Sequence, residues 1–313
     1  MKNVLTVLLL LMSVSFVYAQ GKVTNSIVNN GDQYLNVSKF KEAFKAHIGG
    51  KTGNDIYVVV NDRYVGTNHG NEMSDIVNLI KVSDDIKLIK RNVDEATIDC
   101  VENNKKVKCE LNREVEKLLR KNNVRVWNES NGVPVMARVK ADIDYATIIN
   151  QFKKLLKQYG IMYVSSSGNN ENKLSTRNIK NLINNPLDNL LTVAQFGISS
   201  KNGKPKMENG MFFRAPDFSV FGNYEVADGK ELSGWAGTSP AAAVTSAIIA
   251  QYYSIMPCWS TIDMKRFINA TLKPAKDIGL EDKWTKTKKY LSYSEKIFDK
   301  NFLRSHNIKV CGN

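Results

Sequence analysis

The chain has 313 residues, 42% hydrophobic and 24% charged, with 44 Lys+Arg against 31 Asp+Glu and a formal net charge of +13. This composition excludes a disordered tail, a collagen-like rod and a small disulfide knot, and the length fits one large domain or two small ones. Net positive charge favours acidic surfaces, but Lys105-Lys106, Lys153-Lys154 and Lys286–Lys289 are short scattered runs that read as solvated faces, and no nucleic-acid motif accompanies them.

In chain order, residues 1–19 read as a signal peptide. Lys2 gives a positive start, Val4–Val17 is an apolar stretch too short for a comfortable membrane span, and Val17-Tyr18-Ala19 predicts cleavage after Ala19. The mature chain is therefore expected to be secreted or periplasmic, with no membrane span. Residues 20–54 are polar, with one helical patch at Lys39–His47, and are expected to form an N-terminal arm. Ile56–Val60 is a continuous apolar run, the mark of a strand covered on both faces. Helical spacing follows over Glu72–Val82, then a strand at Ile86–Ile89, a helix at Leu111–Lys121 and a strand at Val124–Trp127. Asp142–Tyr159 is an amphipathic helix closed by Gly160, and Ile161–Val164 and Leu190–Ala194 are further strands. Pro240–Ala250 is apolar nearly all round, as in a helix buried in the middle of a protein, and Ile262–Leu272 predicts one more. Strands alternating with helices predict an α/β fold with a mostly parallel sheet.

The four cysteines are Cys100, Cys109, Cys258 and Cys311. In an exported chain they suggest two disulfides with three connectivities open. Cys100 and Cys109 flank a turn candidate at Asn103-Asn104, which favours a local hairpin bridge; Cys258–Cys311 would then tie the tail to the body. The cysteine spacing and only three histidines argue against zinc.

Four positions could carry chemistry. Ser239 follows Gly237-Thr238 and suits the N-cap of the buried helix, with Pro240 at its first position. A hydroxyl there also lies where a helix N-terminus favours developing negative charge. His69 precedes a helical pattern and could act as a general base, and Asp62 ends the first strand, where a carboxylate could fix an imidazole tautomer. Asn169, after Ser165-Ser166-Ser167-Gly168 at a strand exit, could donate to an oxyanion. Taken singly, each is as readily a cap, a turn or a strand end.

Taken in order, these positions resemble the subtilisin-like serine proteases, the subtilases. Gly237-Thr238-Ser239-Pro240-Ala241 matches the nucleophile motif Gly-Thr-Ser-x-Ala, and His69-Gly70-Asn71-Glu72-Met73-Ser74 resembles His-Gly-x-x-Val-Ala, with Met and Ser at the last two places. Ser165-Ser166-Ser167-Gly168-Asn169 resembles Ala-Ala-Ala-Gly-Asn, and Val126–Gly132 resembles the substrate-binding strand Val-Ile-Asn-Met-Ser-x-Gly. Ala215-Pro216-Asp217 stands where the family has Ala-Pro-Gly. The likeness spans about residues 55–272.

The resemblance implies a three-layer subtilisin-like fold over residues 55–313, with a central, mostly parallel sheet flanked by helices, carrying the Cys100–Cys109 insert and a basic C-terminal extension. It implies catalysis by Ser239, His69, Asp62 and Asn169, and substrate binding by Asn128, Glu129, Ser130, Asn131 and Gly132 on one wall and Ser165, Ser166, Ser167 and Gly168 on the other. Glu129 hints at basic P1 side chains. The partner would be a peptide or protein substrate, met by a monomer; no nucleic acid is expected. No cofactor is required, and although calcium is common in the family, its ligands are not assigned. Asp62 and His69 lie seven residues apart, where the family usually has a few tens, so Asp55 and Asp75 remain alternative carboxylates. A full inhibitory propeptide is not evident. Two other functions remain: a catalytically impaired binding or scaffold protein of the cell envelope, favoured by the compressed spacing, and a basic module that docks on anionic polymer.

Overall fold

The structure, a computed structural model, describes residues 26–103, 106–130, 137–139, 145–168, 188–199, 202–209, 216–222, 237–282 and 285–312. The expected signal peptide, Asn131, Gly132 and Asn169 lie outside the described residues.

Apolar, β-branched runs build the centre. Strands β1 (Ile56–Asp62), β2 (Ile86–Asn92), β5 (Val124–Glu129), β7 (Met162–Ser166), β8 (Leu190–Ile198), β10 (Phe218–Phe221) and β12 (Lys289–Tyr290) run parallel in the order β2-β1-β5-β7-β8-β10-β12. Antiparallel β9 (Pro205–Asn209) pairs with β8, and β11 (Lys273–Pro274) pairs with β12. This is the α/β sheet expected from the alternation of elements. The pleat sends successive side chains to opposite faces. Val58, Val60, Val126, Met162 and Val164 enter the main core, whereas Val59, Trp127 and Tyr163 enter a second core on the other face.

The main core is filled by α6 (Thr238–Ile255), in which every residue from Thr238 to Ser254 is buried. Such a helix must be small-sided to sit between a sheet and its neighbours, and Ala241, Ala242, Ala243, Ala247 and Ala250 supply that. Helices α3 (His69–Ile80) and α7 (Thr261–Thr271) add to this layer. The second face carries α4 (Arg113–Lys121), α5 (Tyr145–Gln158) and a small sheet of β3 (Ile98–Asn103), β4 (Lys106–Leu111) and β6 (Ala137–Val139). A short helix α8 (Lys300–Ser305) closes the tail. Among the described residues no helix is long and apolar enough to cross a membrane.

Three expectations change. Residues 26–48 form two helices, α1 (Ser26–Leu35) and α2 (Val37–Ile48), that close on the main core and do not stand apart as an arm. Phe40 and Phe44 are buried, the Phe40 ring stacks on Tyr293 at 4.4 Å, and Gly31 leaves room for Phe221, which a Cβ would meet at 2.6 Å. The helical patch expected at Lys39–His47 lies within α2, and the polar spacing before it gave no sign of α1. Second, of the run Lys153-Lys154 only Lys154 is exposed, and Lys153 is 4% exposed; it follows buried Phe152 on α5, where a long aliphatic stem can cover apolar surface. Third, β9 and β10 had no counterpart among the expected strands.

Both disulfides form as the local reading favoured: Cys100–Cys109 bridges directly paired residues of β3 and β4, and Cys258–Cys311 ties the tail to the segment after α6.

Two outcomes follow for denaturant melts. Phe40→Ala should cost roughly 3–5 kcal/mol, the core-aromatic range; a loss within about 0.5 kcal/mol, as at a neutral surface site, would mean that α2 is not part of the core. Replacing Cys258 and Cys311 by Ser should cost roughly 4 kcal/mol and replacing Cys100 and Cys109 roughly 3, because the longer loop constrains the unfolded chain more. The reverse order would contradict that account.

Candidate active site

The strand order locates the site before any side chain is considered. From β1 the chain steps outward to β2, and the later strands grow from the other side of β1, beginning with β5. In open parallel sheets, ligands bind beyond the carboxyl ends of strands where the order reverses. That point lies here between Asp62, the last residue of β1, and Ser130, the residue after β5. Asn61 pairs with Glu129, so the register brings Asp62 and Ser130 to the same level.

Asp62 is fully buried, and its Oδ1 lies 2.6 Å from His69 Nδ1. The same Oδ1 accepts the Arg63 backbone N–H at 2.6 Å. A carboxylate oxygen only accepts, so Nδ1 carries a proton, and in the neutral ring Nε2 is then the acceptor. The imidazole is 18% exposed. The two other carboxylates considered are elsewhere. Asp55 lies before β1, at the far end of that strand, 3.9 Å from Lys87, and Asp75 is exposed on α3. Helix α3 begins at His69, three residues earlier than its apolar spacing indicated, and Glu72 N–H closes the first turn on Asn68 O. Burial pushes the Glu72 carboxyl up, and the nearby His69 opposes that rise.

Ser239 is not the N-cap, as the sequence suggested. Gly237 takes that place in extended conformation, so Thr238, Ser239 and Pro240 form the first turn of α6. Pro is tolerated there because first-turn N–H groups have no intrahelical acceptor. The Ser239 hydroxyl donates to Ser130 O at 2.6 Å. Ser130 is held in turn: Asn128 Nδ2 donates to its Oγ at 2.8 Å, and Ser246 Oγ donates to Asn128 Oδ1 at 3.0 Å. Ser246 stands seven residues after Ser239, two turns along the same helix face. This buried chain of side chains fixes α6 against β5 at the hydroxyl. Sequence reasoning missed Ser246; its two-turn spacing from Ser239 was the available signal.

On the neighbouring strand, Ser165 and Ser166 end β7, Ser167 N–H donates to Val193 O, and Gly168 N–H donates to Thr238 Oγ1 at 3.0 Å. The segment leading to Asn169 is thus tied to the turn that holds Ser239. Gly168 has φ +94°, a conformation suited to glycine. Glu129 departs from the sequence reading. It is fully buried on the other face of the sheet and accepts from Asn61 Nδ2 at 2.7 Å, while Arg91 Nη1 donates to Asn61 Oδ1 at 2.7 Å. The pleat turns its side chain away from Asn128 and into the interior, which removes the basis for a preference for basic P1 residues. Among the described residues, no cluster of three or more His, Cys, Asp or Glu could hold a metal ion.

Comparison with known proteins agrees with this architecture. The chain resembles the A-subunit of the AB5 toxin from E. coli, with a TM-score of 0.53 at 13% identity over 86% of this chain and 98% of that one. It also resembles a structure from the subtilase cytotoxin SubAB assembly, with a TM-score of 0.50 at 14% identity over 84% of this chain and 97% of that one. At such identities the likeness is one of fold. No curated protein matches in sequence. The sequence pattern of the Subtilase family, peptidase S8, matches residues 36–293, nearly the whole described fold including α2, and the chain therefore belongs to the subtilase family.

Proposed function

We propose that this subtilase is an exported serine endopeptidase that cleaves peptide bonds through an acyl-enzyme. The observation that carries the reading is the 2.6 Å contact of His69 Nδ1 with buried Asp62 at the strand-order reversal, with Ser239, in the first turn of α6, bonded to Ser130 at the adjoining strand end. Asp62 holds the tautomer whose Nε2 can take a proton and stabilises the charge that follows. The Ser239 hydroxyl turns from Ser130 O to that nitrogen and attacks the substrate carbonyl as its proton passes to His69. The carbonyl oxygen becomes anionic beside the backbone N–H of Ser239 in the first turn of α6, and the Asn169 side chain is assigned as a second donor. His69 then protonates the leaving amine, leaving an ester on Ser239. Water, deprotonated by His69, attacks the ester, and the proton returns to Ser239. The chemistry uses protein groups alone, and no calcium ligands are assigned.

The peptide is proposed to pair as an added strand with the segment that continues β5, from Ser130 through Asn131 and Gly132, beyond the level at which Glu129 pairs with Ser165; its P1 side chain would enter between that segment and Ser166–Gly168. Export is supported by the two disulfides, which persist in oxidising compartments. The remaining alternative is a binding protein on the same fold. One observation favours it: the Ser239 proton is engaged by Ser130 O.

A fluorophosphonate probe separates the two. Wild type should be labelled on Ser239 and Ser239→Ala should not; no labelling of folded wild type, or persistent labelling of the variant, defeats the nucleophile assignment. With a peptide substrate, Asp62→Asn should lower kcat on the order of 10⁴-fold by presenting the wrong tautomer, and His69→Ala by several orders of magnitude. Activity within tenfold of wild type in either variant would remove that residue from the mechanism.

A further inference from the structure

The seven-residue separation of Asp62 and His69 leaves Arg63–Asn68 to turn the chain from a strand end into a helix start. So short a connection must deliver the imidazole to the carboxylate with little slack. Its closure is visible. Gly70 N–H donates to Arg63 O at 2.9 Å, and Thr67 Oγ1 reaches the same oxygen at 3.3 Å. Tyr64 folds beneath this loop. A Cβ on Gly70 would lie 2.7 Å from Tyr64 Cε1 and 2.9 Å from Arg63 O, so the ring occupies the space the glycine leaves. The Tyr64 hydroxyl lies 3.1 Å from Val60 O and 3.2 Å from Ser74 Oγ. Ser74 is fully buried and spends its proton on Gly70 O at 2.8 Å. Tyr64 therefore supplies the single proton shared between Val60 O and Ser74 Oγ. Burial holds this phenol well above its ordinary pKa, so it stays a donor.

Two features of the sequence, the short Asp–His gap and Ser74 on α3, thereby become parts of one device. We propose that Tyr64 is a positioning residue that clamps β1 to the first turn of α3 and so sets the His69 imidazole on Asp62. The ring fixes the loop height above Gly70. The hydroxyl joins Val60, two residues before Asp62, to Ser74, five residues after His69. The clamp links the strand end and the helix start that carry the two partners of the 2.6 Å contact. The inference deepens the hydrolase reading and rests on it for its kinetic arm, but not for its spectroscopic one.

The test uses the full chain and the variants Tyr64→Phe, which keeps the ring, and Ser74→Ala. Proton NMR should show a far-downfield Nδ1–H signal from the short His69–Asp62 bond in wild type. In Tyr64→Phe the signal should broaden or vanish, and kcat on a peptide should fall about tenfold, one charge-assisted bond's worth of misplacement, with KM within about twofold. Ser74→Ala should move both readouts the same way and less. A folded Tyr64→Phe that melts lower yet keeps signal and kcat makes Tyr64 merely structural and overturns the proposal, as does absence of the signal in folded wild type. If wild type has the signal but hydrolyses nothing, and Tyr64→Phe loses the signal, the clamp stands and the hydrolase reading falls.

Discussion

A parallel sheet whose strand order reverses between β1 and β5 leaves the carboxyl ends of those two strands open to each other. Everything proposed about this molecule depends on that reversal. It puts Asp62 and Ser130 side by side although they come from separate β-strand units. It leaves room for two helices to enter: α3, which follows β1 and carries His69, and α6, which follows β10 and carries Ser239. Groups far apart in the chain meet at the crevice that this reversal opens.

The helix bearing Ser239 must be buried to reach that crevice, and burial of polar groups is costly unless each is hydrogen-bonded. Helix α6 resolves this group by group. Thr245 Oγ1 donates to Ala241 O, Ser246 Oγ to Asn128 Oδ1, and Gln251 Oε1 accepts the backbone N–H groups of Val82 and Ser83. Tyr252 Oη accepts from Ser294 N–H and donates to Ser292 O. These bonds reach β5, the loop after α3 and the C-terminal segment, so they fix the helix in rotation as well as depth. A helix with only apolar contacts could turn about its axis; this one cannot without stranding several donors. The rigidity at Ser239 is thus a by-product of the hydrogen bonds that Ser246, Gln251 and Tyr252 make along the helix.

The sequence revealed this arrangement unevenly, for physical reasons. The all-apolar run of β1 and the small-residue helix α6 were legible because burial on both sides leaves a local signature. So was the order of Asp62, His69 and Ser239; of the three carboxylates considered, Asp62 lies 2.6 Å from the imidazole. In the N-terminal segment the apolar spacing at Phe40 and Phe44 marks α2, whereas α1 leaves no comparable pattern in its polar sequence. The N-cap was set two residues late because Ser239 suits that role chemically, whereas an extended Gly237 holds it. Tyr64 left no periodic signal, because its partners Val60, Gly70 and Ser74 belong to a strand end, a helix start and a helix interior.

Glu129 shows why such errors turn on single residues. Read along the chain, it stands next to Ser130 and belongs to the crevice. In the sheet it belongs to the opposite face, with Asn61 and Arg91, the guanidinium 5.7 Å from the Trp127 ring. Arg91 also donates to Glu95 O and Ala96 O. Breaking such a buried ionic group by removing one partner costs several kcal/mol, so the network resists sliding of β1 against β5 and β2. A slip of one residue would exchange the faces of Asn61 and Asp62. The amide would then face the imidazole, and the carboxylate would face Glu129. Two like charges would meet in the interior while His69 lost the group that fixes its tautomer. The ionic network on the far face therefore protects the register on which the near face depends, and a residue with no contact to the crevice helps determine which side chain enters it.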